Sequence, residues 1–166
     1  TNTTAAPETS LVLRVCRANM TSRNGFTWPN VGAEVVAPDW QQNSECGYGL
    51  HGWLFGQGDH GCVDYWTDPE AKWLVLEVPS DEIVMLGGKC KFPRAVVRFV
   101  GVKSDAAAYL IANEPRASAV AVIGACTQVG DKQSVLVGAL GTATAGYRGT
   151  ATAGESGTAT AGNYGT

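Results

Sequence analysis

Four side chains that could hold a metal ion lie within seventeen residues of one another: Cys46, His51, His60 and Cys62. Two thiolates and two imidazoles suit zinc, which prefers tetrahedral coordination by sulfur and nitrogen. The intervals within the two Cys/His pairs match none of the usual zinc-binding spacings. The pattern therefore gives zinc as a candidate cofactor and these four residues as candidate ligands. The alternative is buried thiols and hydrogen-bonded histidines.

A second arrangement combines a basic residue in an early strand, a glycine-flanked histidine and a carboxylate in a later strand: Arg14, His51 and Glu77. This order resembles that of ADP-ribosyltransferase domains. The resemblance implies NAD as cofactor, with an early Arg or His at its ribose and Glu77 stabilising the charge that develops on the sugar. The sequence has no Ser-Thr-Ser and no Glu-x-Glu. The simpler interpretation is an ion pair between Arg14 and Glu77 on neighbouring strands.

Cys46, Gly49 and His51 also resemble an uncharacterised domain family of phages and bacteria, in which Gly-x-His follows a cysteine downstream of an opening strand. This resemblance implies no known activity. Four tryptophans in the same part of the chain could line a ligand pocket, although aromatic residues more often form a core. They are Trp40, Trp53, Trp66 and Trp73.

Residues 11–116 predict an α+β head domain that would position these side chains, and residues 1–10, which lack periodicity, predict a flexible tail. Ser104 is suited to cap a helix that runs to Asn113, because alanines follow it. Residues 47–56, bracketed by glycines, predict a strand or the start of a helix. The remaining strand predictions are residues 11–17, 34–37, 73–78, 83–86 and 95–100.

The last third of the chain, here called the repeat segment (residues 117–166), is built on an octapeptide. Gly-Thr-Ala-Thr-Ala-Gly-Tyr-Arg begins at Gly141, recurs with changes at Gly149 and Gly157, and starts again at Gly165. Alternating Thr and Ala have the two-residue period of a strand, and the glycines supply turns. Eight residues are too few to close a loop. We therefore expect a narrow β-solenoid with two strands and sixteen residues in each coil.

The same alternation predicts which side chains face outward. We expect the odd positions of each octapeptide, such as Ala143 and Ala145, to point inward, where small residues allow the two faces closer than the ~10 Å of ordinary packed sheets. Threonines then form a ladder on the surface. Its members are Thr142, Thr144, Thr150, Thr152, Thr158 and Thr160.

This repeat resembles that of bacterial ice-nucleation proteins, which carry a similar Ser/Thr-x-Thr-Ala-Gly run with the same period. The matching residues are Thr142, Thr144, Ala145 and Gly146, with their equivalents eight and sixteen residues later. The resemblance implies a solenoid and a surface that orders ice or water. A structural rod or an oligomerisation stalk is the alternative function for the same fold.

Composition excludes several classes of protein. The chain of 166 residues has a net charge of -3 and no basic cluster, which argues against nucleic acid as a partner. It has no apolar run that could span a membrane and no positively charged leader. Its five cysteines are odd in number and irregularly spaced, which predicts reduced thiols and a cytoplasmic location.

The sequence as a whole predicts a non-enzymatic, self-associating repeat protein whose head domain caps the first coil. The repeat stops at Gly165-Thr166 without a capping residue, so we expect either a longer array or rods that stack end to end. Tyr147 and Tyr164, at corners of the repeat, are the candidate contacts of a homo-oligomer or filament. The rival prediction is a nucleotide-binding or ADP-ribosyltransferase-like head tethered to a rod.

Overall fold

A computed structural model describes residues 6–166 of the chain and is mostly β-structure, with one α-helix among the described residues. The helix α1 is Lys103–Asn113. The strands of the head are β1 (Thr9–Cys16), β2 (Glu34–Val36), β3 (Leu50–Leu54), β4 (Lys72–Pro79), β5 (Val84–Met85), β6 (Cys90–Phe92) and β7 (Arg94–Gly101). The strands of the repeat segment are β8 (Cys126–Gln128), β9 (Ser134–Leu136), β10 (Thr142–Ala145), β11 (Thr150–Thr152) and β12 (Thr158–Ala161).

The head is organised by an open seven-stranded antiparallel sheet with the order β2-β7-β4-β1-β3-β6-β5. Its longest ladder joins β1 to β4, from Thr9 opposite Pro79 to Cys16 opposite Lys72. The three long strands predicted from β-branched runs are confirmed, with ends that differ by at most two residues. Residues 1–5 of the predicted flexible tail lie outside the described residues, while Thr9 and Ser10 already belong to β1.

Alternation along β1 and β4 divides the head core into two layers. Leu13 and Val75 face α1, whose buried side of Ala106, Ala107 and Leu110 packs against them. The opposite face carries Val12, Leu74 and Leu76, which form a second buried cluster with Trp28 and Phe92. The sheet is thus buried on both faces, and the layer on the α1 side continues into the repeat segment through Val135, Val137, Ala143 and Ala145.

The helix α1 begins one residue earlier than expected. The residue before its first turn is Val102, which has no side chain able to cap, so the predicted cap at Ser104 is wrong. Ser104 lies inside the first turn because Lys103 is already helical. Among residues 6–166, no helix has the length and apolar character needed to cross a bilayer.

Strands of the repeat segment pair in parallel with partners sixteen residues away. Thr142 of β10 lies opposite Cys126 of β8 and Thr158 of β12, which form a three-stranded sheet. Ala151 of β11 lies opposite Val135 of β9 in a second, two-stranded sheet. Successive octapeptides therefore contribute alternately to the two sheets, and this alternation doubles the eight-residue period of the sequence.

The first octapeptides differ from the predicted pattern. Residues predicted as an opening strand near Ala117 instead belong to a 3-10 helix, Pro115–Ala119, and the first paired strand is β8. Pro115 favours this helical start, and the carboxylate of Glu114 accepts the backbone N–H of Arg116. As a result Ala119, which we expected to point inward, is exposed.

A charged cluster fastens this junction to the start of the head. Arg116 pairs with Glu114 at 2.7 Å and with Glu8 at 2.8 Å, and Glu114 also accepts the backbone N–H of Leu11. Burial alone would raise the pKa of Glu114, but the hydrogen bonds from Arg116 and Leu11 hold that pKa below its usual range. The carboxylate is therefore charged and paired at neutral pH.

Corners of the repeat segment share one unusual backbone conformation. Every eighth residue has a positive φ between 54° and 75°, in the left-handed region. This conformation costs a residue other than glycine about 1–2 kcal/mol. The backbone N–H at four of these corners donates to a carbonyl fifteen residues further on, which offsets part of that cost. The six residues are Gly124, Lys132, Leu140, Arg148, Ser156 and Tyr164.

Most of the glycines two residues before a corner are required by close contact between successive strands. A Cβ atom on Gly138 would lie 2.7 Å from the carbonyl oxygen of Ala121, and one on Gly154 would lie 2.5 Å from the backbone nitrogen of Ala139. Gly130, at the same octapeptide position, has only the Gln133 side chain within 4 Å, at 3.7 Å. These glycines occupy the same position of the octapeptide, so the backbone that packs against each one decides whether glycine is essential there.

This difference predicts the effect of one methyl group at two equivalent positions. Gly138→Ala should lower the free energy of unfolding by about 1–3 kcal/mol, because the new methyl overlaps backbone that cannot move aside. Gly130→Ala, the matched control, should be neutral or slightly stabilising, since it only restricts the unfolded chain. Chemical denaturation of both variants measures the difference. Equal losses at the two positions would contradict the close backbone approach.

The corner conformation predicts a stabilising substitution. Ser156→Gly should raise the free energy of unfolding by about 1 kcal/mol, because glycine adopts the left-handed region without steric cost. Ser134→Gly makes the same chemical change inside β9 and should be destabilising by about 0.5–1 kcal/mol. The measurement is the thermal unfolding midpoint of each variant, and a stabilising Ser134→Gly or a destabilising Ser156→Gly would argue against the assigned corners.

Candidate functional site

Outward threonines form a small regular array on the three-stranded sheet. Thr142 lies directly opposite Thr158, and Thr144 lies opposite Thr160. Neighbouring strands are about 4.8 Å apart, and residues two apart on one face of a strand are separated by about 6.6 Å. Three of the four side chains are exposed, and Thr144 is half-buried. The array therefore presents hydroxyl groups at two fixed spacings.

The other two predicted ladder residues lie on the second sheet. Thr150 and Thr152 of β11 are exposed, but their neighbours on β9 are Ser134 and the exposed apolar residue Leu136. The Thr150 hydroxyl is 3.3 Å from that of Thr166. The six predicted residues are thus divided between two sheets, and the three-stranded sheet carries the more uniform hydroxyl surface.

Buried alanines fix the direction of the threonine side chains. Ala143 and Ala145 of β10 are 0% and 4% exposed, as predicted, and packing on that side prevents the strand from turning over. Within the described residues, the hydroxyls of Thr142, Thr158 and Thr160 make no hydrogen bond to another protein group. These three hydroxyls can therefore donate to and accept from water.

Two corner tyrosines lie close together beside the array. The rings of Tyr147 and Tyr164 meet edge to face with their centroids 5.9 Å apart, and the Arg148 guanidinium lies 5.2 Å and 5.9 Å from the two rings. Tyr164 is 83% exposed and Tyr147 is 39% exposed. The pair forms an exposed aromatic and cationic patch, and its predicted role as an oligomer contact stays a prediction.

A cavity of about 470 Å³, here called the head cavity, lies beside β1 and β3. Arg14 and His51 meet in its wall: Arg14 Nη1 donates to the His51 carbonyl oxygen at 2.6 Å, and the guanidinium lies 4.5 Å from the Trp28 ring. His51 Nε2 accepts the backbone N–H of Gly47 at 3.3 Å. Cys46, Cys62 and Lys89 also line the head cavity.

The electrostatic environment of the head cavity is positive. Burial, with added repulsion from Lys89, Arg14 and Lys91, lowers the pKa of His51 to about 4, so this imidazole is neutral at pH 7. A hydrogen bond from Lys89 lowers the pKa of the exposed Cys46 thiol. Burial lowers the pKa of Arg14 to about 10, which leaves its guanidinium charged at neutral pH.

The predicted zinc ligands do not come together as a set. Cys46, His51 and Cys62 line the head cavity, whereas His60 is buried with its ring 5.0 Å from that of Trp66. Across residues 6–166, no group of three or more His, Cys, Asp or Glu side chains is placed to hold a metal ion. The geometry of the described residues therefore does not fit the predicted zinc site.

The predicted ADP-ribosyltransferase arrangement is wrong, because the sheet separates its members. Arg14 lies opposite Leu74, whereas Glu77 lies opposite Leu11 on the other face of the sheet. Glu77 binds Arg98 of the adjacent strand β7, so the expected ion pair with Arg14 is also absent from the described residues. Leu74 and Glu77 are three residues apart on β4, and side chains three apart on a strand face opposite sides of the sheet. Glu77 therefore faces away from Arg14. Arg14 and His51 are neighbours, but Glu77 cannot act with them.

Sequence reasoning missed the residue that shapes the wall of the head cavity. Lys91 is fully buried, and its ammonium group donates to Asn43 Oδ1 at 2.7 Å, to the Glu45 carbonyl at 2.9 Å and to the Gly47 carbonyl at 3.4 Å. These bonds hold the loop that carries Cys46. The only signal in the sequence was the alternation Lys89-Cys90-Lys91, which resembles an ordinary surface strand.

The chain matches two kinds of known protein: a domain family and the ice nucleation proteins. The profile of a family described as "domain of unknown function (DUF7666)" matches residues 10–112. Ice nucleation proteins are similar to the chain, with 40% identity over 110 residues for that of Xanthomonas campestris pv. translucens and 38% over 108 residues for that of Pseudomonas fluorescens. Ice nucleation protein InaU of Pantoea ananas is 35% identical over 103 residues. No solved structure matches the chain.

These similarities cover most of this chain but little of each relative. The matches span 65%, 64% and 61% of the chain, respectively, and 7%, 9% and 10% of the relatives. The matched part of the chain therefore corresponds to a tenth or less of the length of each of these ice nucleation proteins. The predicted resemblance of the repeat is supported, whereas the ADP-ribosyltransferase resemblance is not.

The predicted cytoplasmic location is contradicted by the similarity to ice nucleation proteins. That prediction rested on the number and spacing of the cysteines. All five cysteines are unpaired, two of them exposed and two buried. The prediction failed because the presence of reduced cysteines does not by itself determine the cellular location of a protein.

The lowered pKa of His51 predicts a pH dependence of stability. Between about pH 6.5 and about pH 4 the unfolded chain binds a proton on His51 that the folded chain does not, so stability should decrease as the pH falls through this range. His51→Gln removes this contribution while keeping an acceptor for the Gly47 N–H. Urea denaturation of both proteins across the range should show the smaller acid destabilisation in the variant, and parallel curves would contradict a buried neutral His51.

Proposed function

The chain belongs over residues 10–112 to the DUF7666 family of domains of unknown function, and we propose that it is a non-enzymatic protein whose repeat segment orders water or ice. In this proposal residues 117–166 form a narrow β-solenoid with sixteen residues in each coil. The sixteen-residue offset of the strand pairs supports this fold. The similarity to ice nucleation proteins supports the function.

The observation that carries the proposal is the register of β10 and β12. Pairing of Thr142 with Thr158 and of Thr144 with Thr160 places hydroxyls on a lattice set by strand spacing and residue rise. Because the backbone fixes both spacings, water bound to the hydroxyls is held in a repeating pattern. A disordered Thr-rich chain has the same composition but could not impose such a pattern.

The threonine array on β10 and β12 is small, so we propose that self-association enlarges it. Tyr147 and Tyr164 are exposed aromatic side chains at one corner of the repeat segment. Aromatic residues and Arg are enriched at protein interfaces, and the Arg148 guanidinium lies within 6 Å of both rings. A homo-oligomer or filament joined at this corner would bring threonine faces of several copies together.

The proposed role of the head is to cover the first coil. Ile123 donates its backbone N–H to the Gly56 carbonyl at 2.9 Å, which ties the start of the repeat segment to the head. Leu110 of α1, Val122 and Ile123 belong to the same buried cluster as Val137. The apolar interior of the first coil is thereby kept from water and from pairing with another chain.

Replacement of the exposed threonines tests the proposed function. The triple variant Thr142→Lys, Thr158→Lys and Thr160→Lys should abolish the shaping of growing ice crystals, because long charged side chains disrupt the hydroxyl array without entering the core. The measurement is ice-crystal morphology by cold-stage microscopy, with circular dichroism to verify that the fold is retained.

A matched variant adds positive charge away from the threonine array. Glu155→Lys lies at an exposed corner other than that of Tyr147 and Tyr164, and it should leave ice shaping unchanged. If ice grown with the wild-type protein is indistinguishable from ice grown in buffer, also at concentrations where the protein self-associates, the water-ordering function is refuted. The repeat segment would then be a structural rod.

A further inference from the structure

We propose that the head cavity binds the phosphate group of a small phosphate monoester through Arg14 and Lys89. This binding site is separate from the threonine array and does not depend on the water-ordering function. The proposal starts from a half-buried arginine, Arg14, that has no anionic partner among the described residues.

Two arginines elsewhere in the chain show the geometry in which a guanidinium of this protein pairs with a carboxylate. Arg94 binds Glu82 with both Nε and Nη2, at 2.9 Å and 3.1 Å. Arg116 binds Glu114 through the same two atoms, at 2.7 Å and 2.9 Å. In each case the edge of the guanidinium formed by Nε and Nη2 holds both oxygens of one carboxylate, which is the preferred geometry.

Arg14 uses only the opposite corner of its guanidinium. Nη1 donates to the His51 carbonyl, while the buried Nε has no hydrogen-bond partner among the described residues. Within the same residues, no carboxylate forms an ion pair with Arg14. A partly buried charge whose Nε lacks a partner is costly, so an anion with two or more oxygens would stabilise this side chain.

A second unpartnered group lies in the same wall. The hydroxyl of Tyr65 is buried and has no hydrogen-bond partner among residues 6–166, and Tyr65 lines the head cavity together with Arg14. A phosphate oxygen that reaches this hydroxyl would accept a hydrogen bond from it. One ligand could thus satisfy both of the buried side-chain polar atoms that lack partners in the described residues.

Charge balance favours phosphate over a single carboxylate. The head cavity is lined by three cationic side chains, Arg14, Arg23 and Lys89, and by one carboxylate, Asp39. The neutral form of His51 contributes no charge at pH 7. The excess of two positive charges matches the charge of nearly -2 on a phosphate monoester, which also offers three acceptor oxygens.

The head cavity is held in shape before any ligand arrives. Lys91 anchors the loop from Asn43 to Gly47 by three hydrogen bonds, and Trp28 supports the flat face of the Arg14 guanidinium. A cavity of about 470 Å³ falls within the usual range for small-molecule sites, about 300–1,000 Å³. The volume leaves room for an organic group beyond the phosphate.

Thermal unfolding of the full chain with defined ligands tests this proposal. The probes are adenosine monophosphate, glycerol phosphate and inorganic phosphate at millimolar concentration, with adenosine, glycerol and equal ionic strength of sodium chloride as controls. Both monoesters should raise the unfolding midpoint in a saturable manner, whereas adenosine, glycerol and chloride should not. A shift with adenosine monophosphate alone would identify a nucleotide as the source of the phosphate group, and a shift with all three phosphates would identify a site for the phosphate group itself.

Variants locate the site. Lys89→Ala should weaken monoester binding at least tenfold in calorimetric titration, and Arg14→Gln should abolish it. Because Arg14→Gln could impair folding, Lys89→Ala is the decisive variant, and Lys132→Ala, a basic residue of the repeat segment, is its matched control. Absence of any midpoint shift with the monoesters, or binding that Lys89→Ala leaves unchanged, would overturn the proposal.

Discussion

Contact between backbones sixteen residues apart is the constraint on which the repeat segment depends. The interior side chains are mainly alanine and valine, which bury little surface, so large apolar groups contribute little to holding successive strands in place. Backbone hydrogen bonds from Thr142 to Ala125, Thr150 to Gln133 and Thr158 to Gly141 recur with one spacing. Glycines at fixed positions allow the strands this close approach. The outward direction of the threonines, and therefore the proposed water-ordering surface, follows from that pairing.

The head supplies the large apolar residues that the repeat segment lacks. Leu110, Val122 and Ile123 continue the core from α1 to the first strands of the repeat. Burial then decreases along the segment: Ala143 is fully buried, Ala151 is half-buried and Ala159 is exposed. The part of the repeat nearest the head is thus the best packed, which agrees with the proposed capping role. The head cavity lies apart from this junction, beside β1 and β3, so the two proposed activities do not compete for the same residues.

The parts of the fold that could be predicted are those in which a local pattern repeats. The octapeptide period led directly to the sixteen-residue offset, and the β-branched runs located β1, β4 and β7 correctly.

Prediction failed where distant residues decide the outcome. Nothing in the local sequence indicates that Glu77 and Arg14 face opposite sides of the sheet, because that depends on the register of β1 against β4. Lys91 belongs to a residue type that is usually exposed, but it is buried because a loop more than forty residues earlier in the chain folds over it. The first strand of the repeat segment was predicted too early for a similar reason. Pro115 and the ion pairs of Arg116 impose a 3-10 helix on residues whose match to the octapeptide pattern is weak.

Hydrogen exchange of backbone amides in the repeat segment tests the central claim most directly. If strands pair at the sixteen-residue offset, the amides of Val129, Val137, Thr142 and Thr150 should exchange slowly, since each donates to a carbonyl fifteen to seventeen residues away. The amide of Asp131, at an exposed corner, should exchange rapidly under the same conditions. Rapid exchange of all five amides in a chain whose head remains protected would contradict the paired strands and the ordered threonine surface built on them.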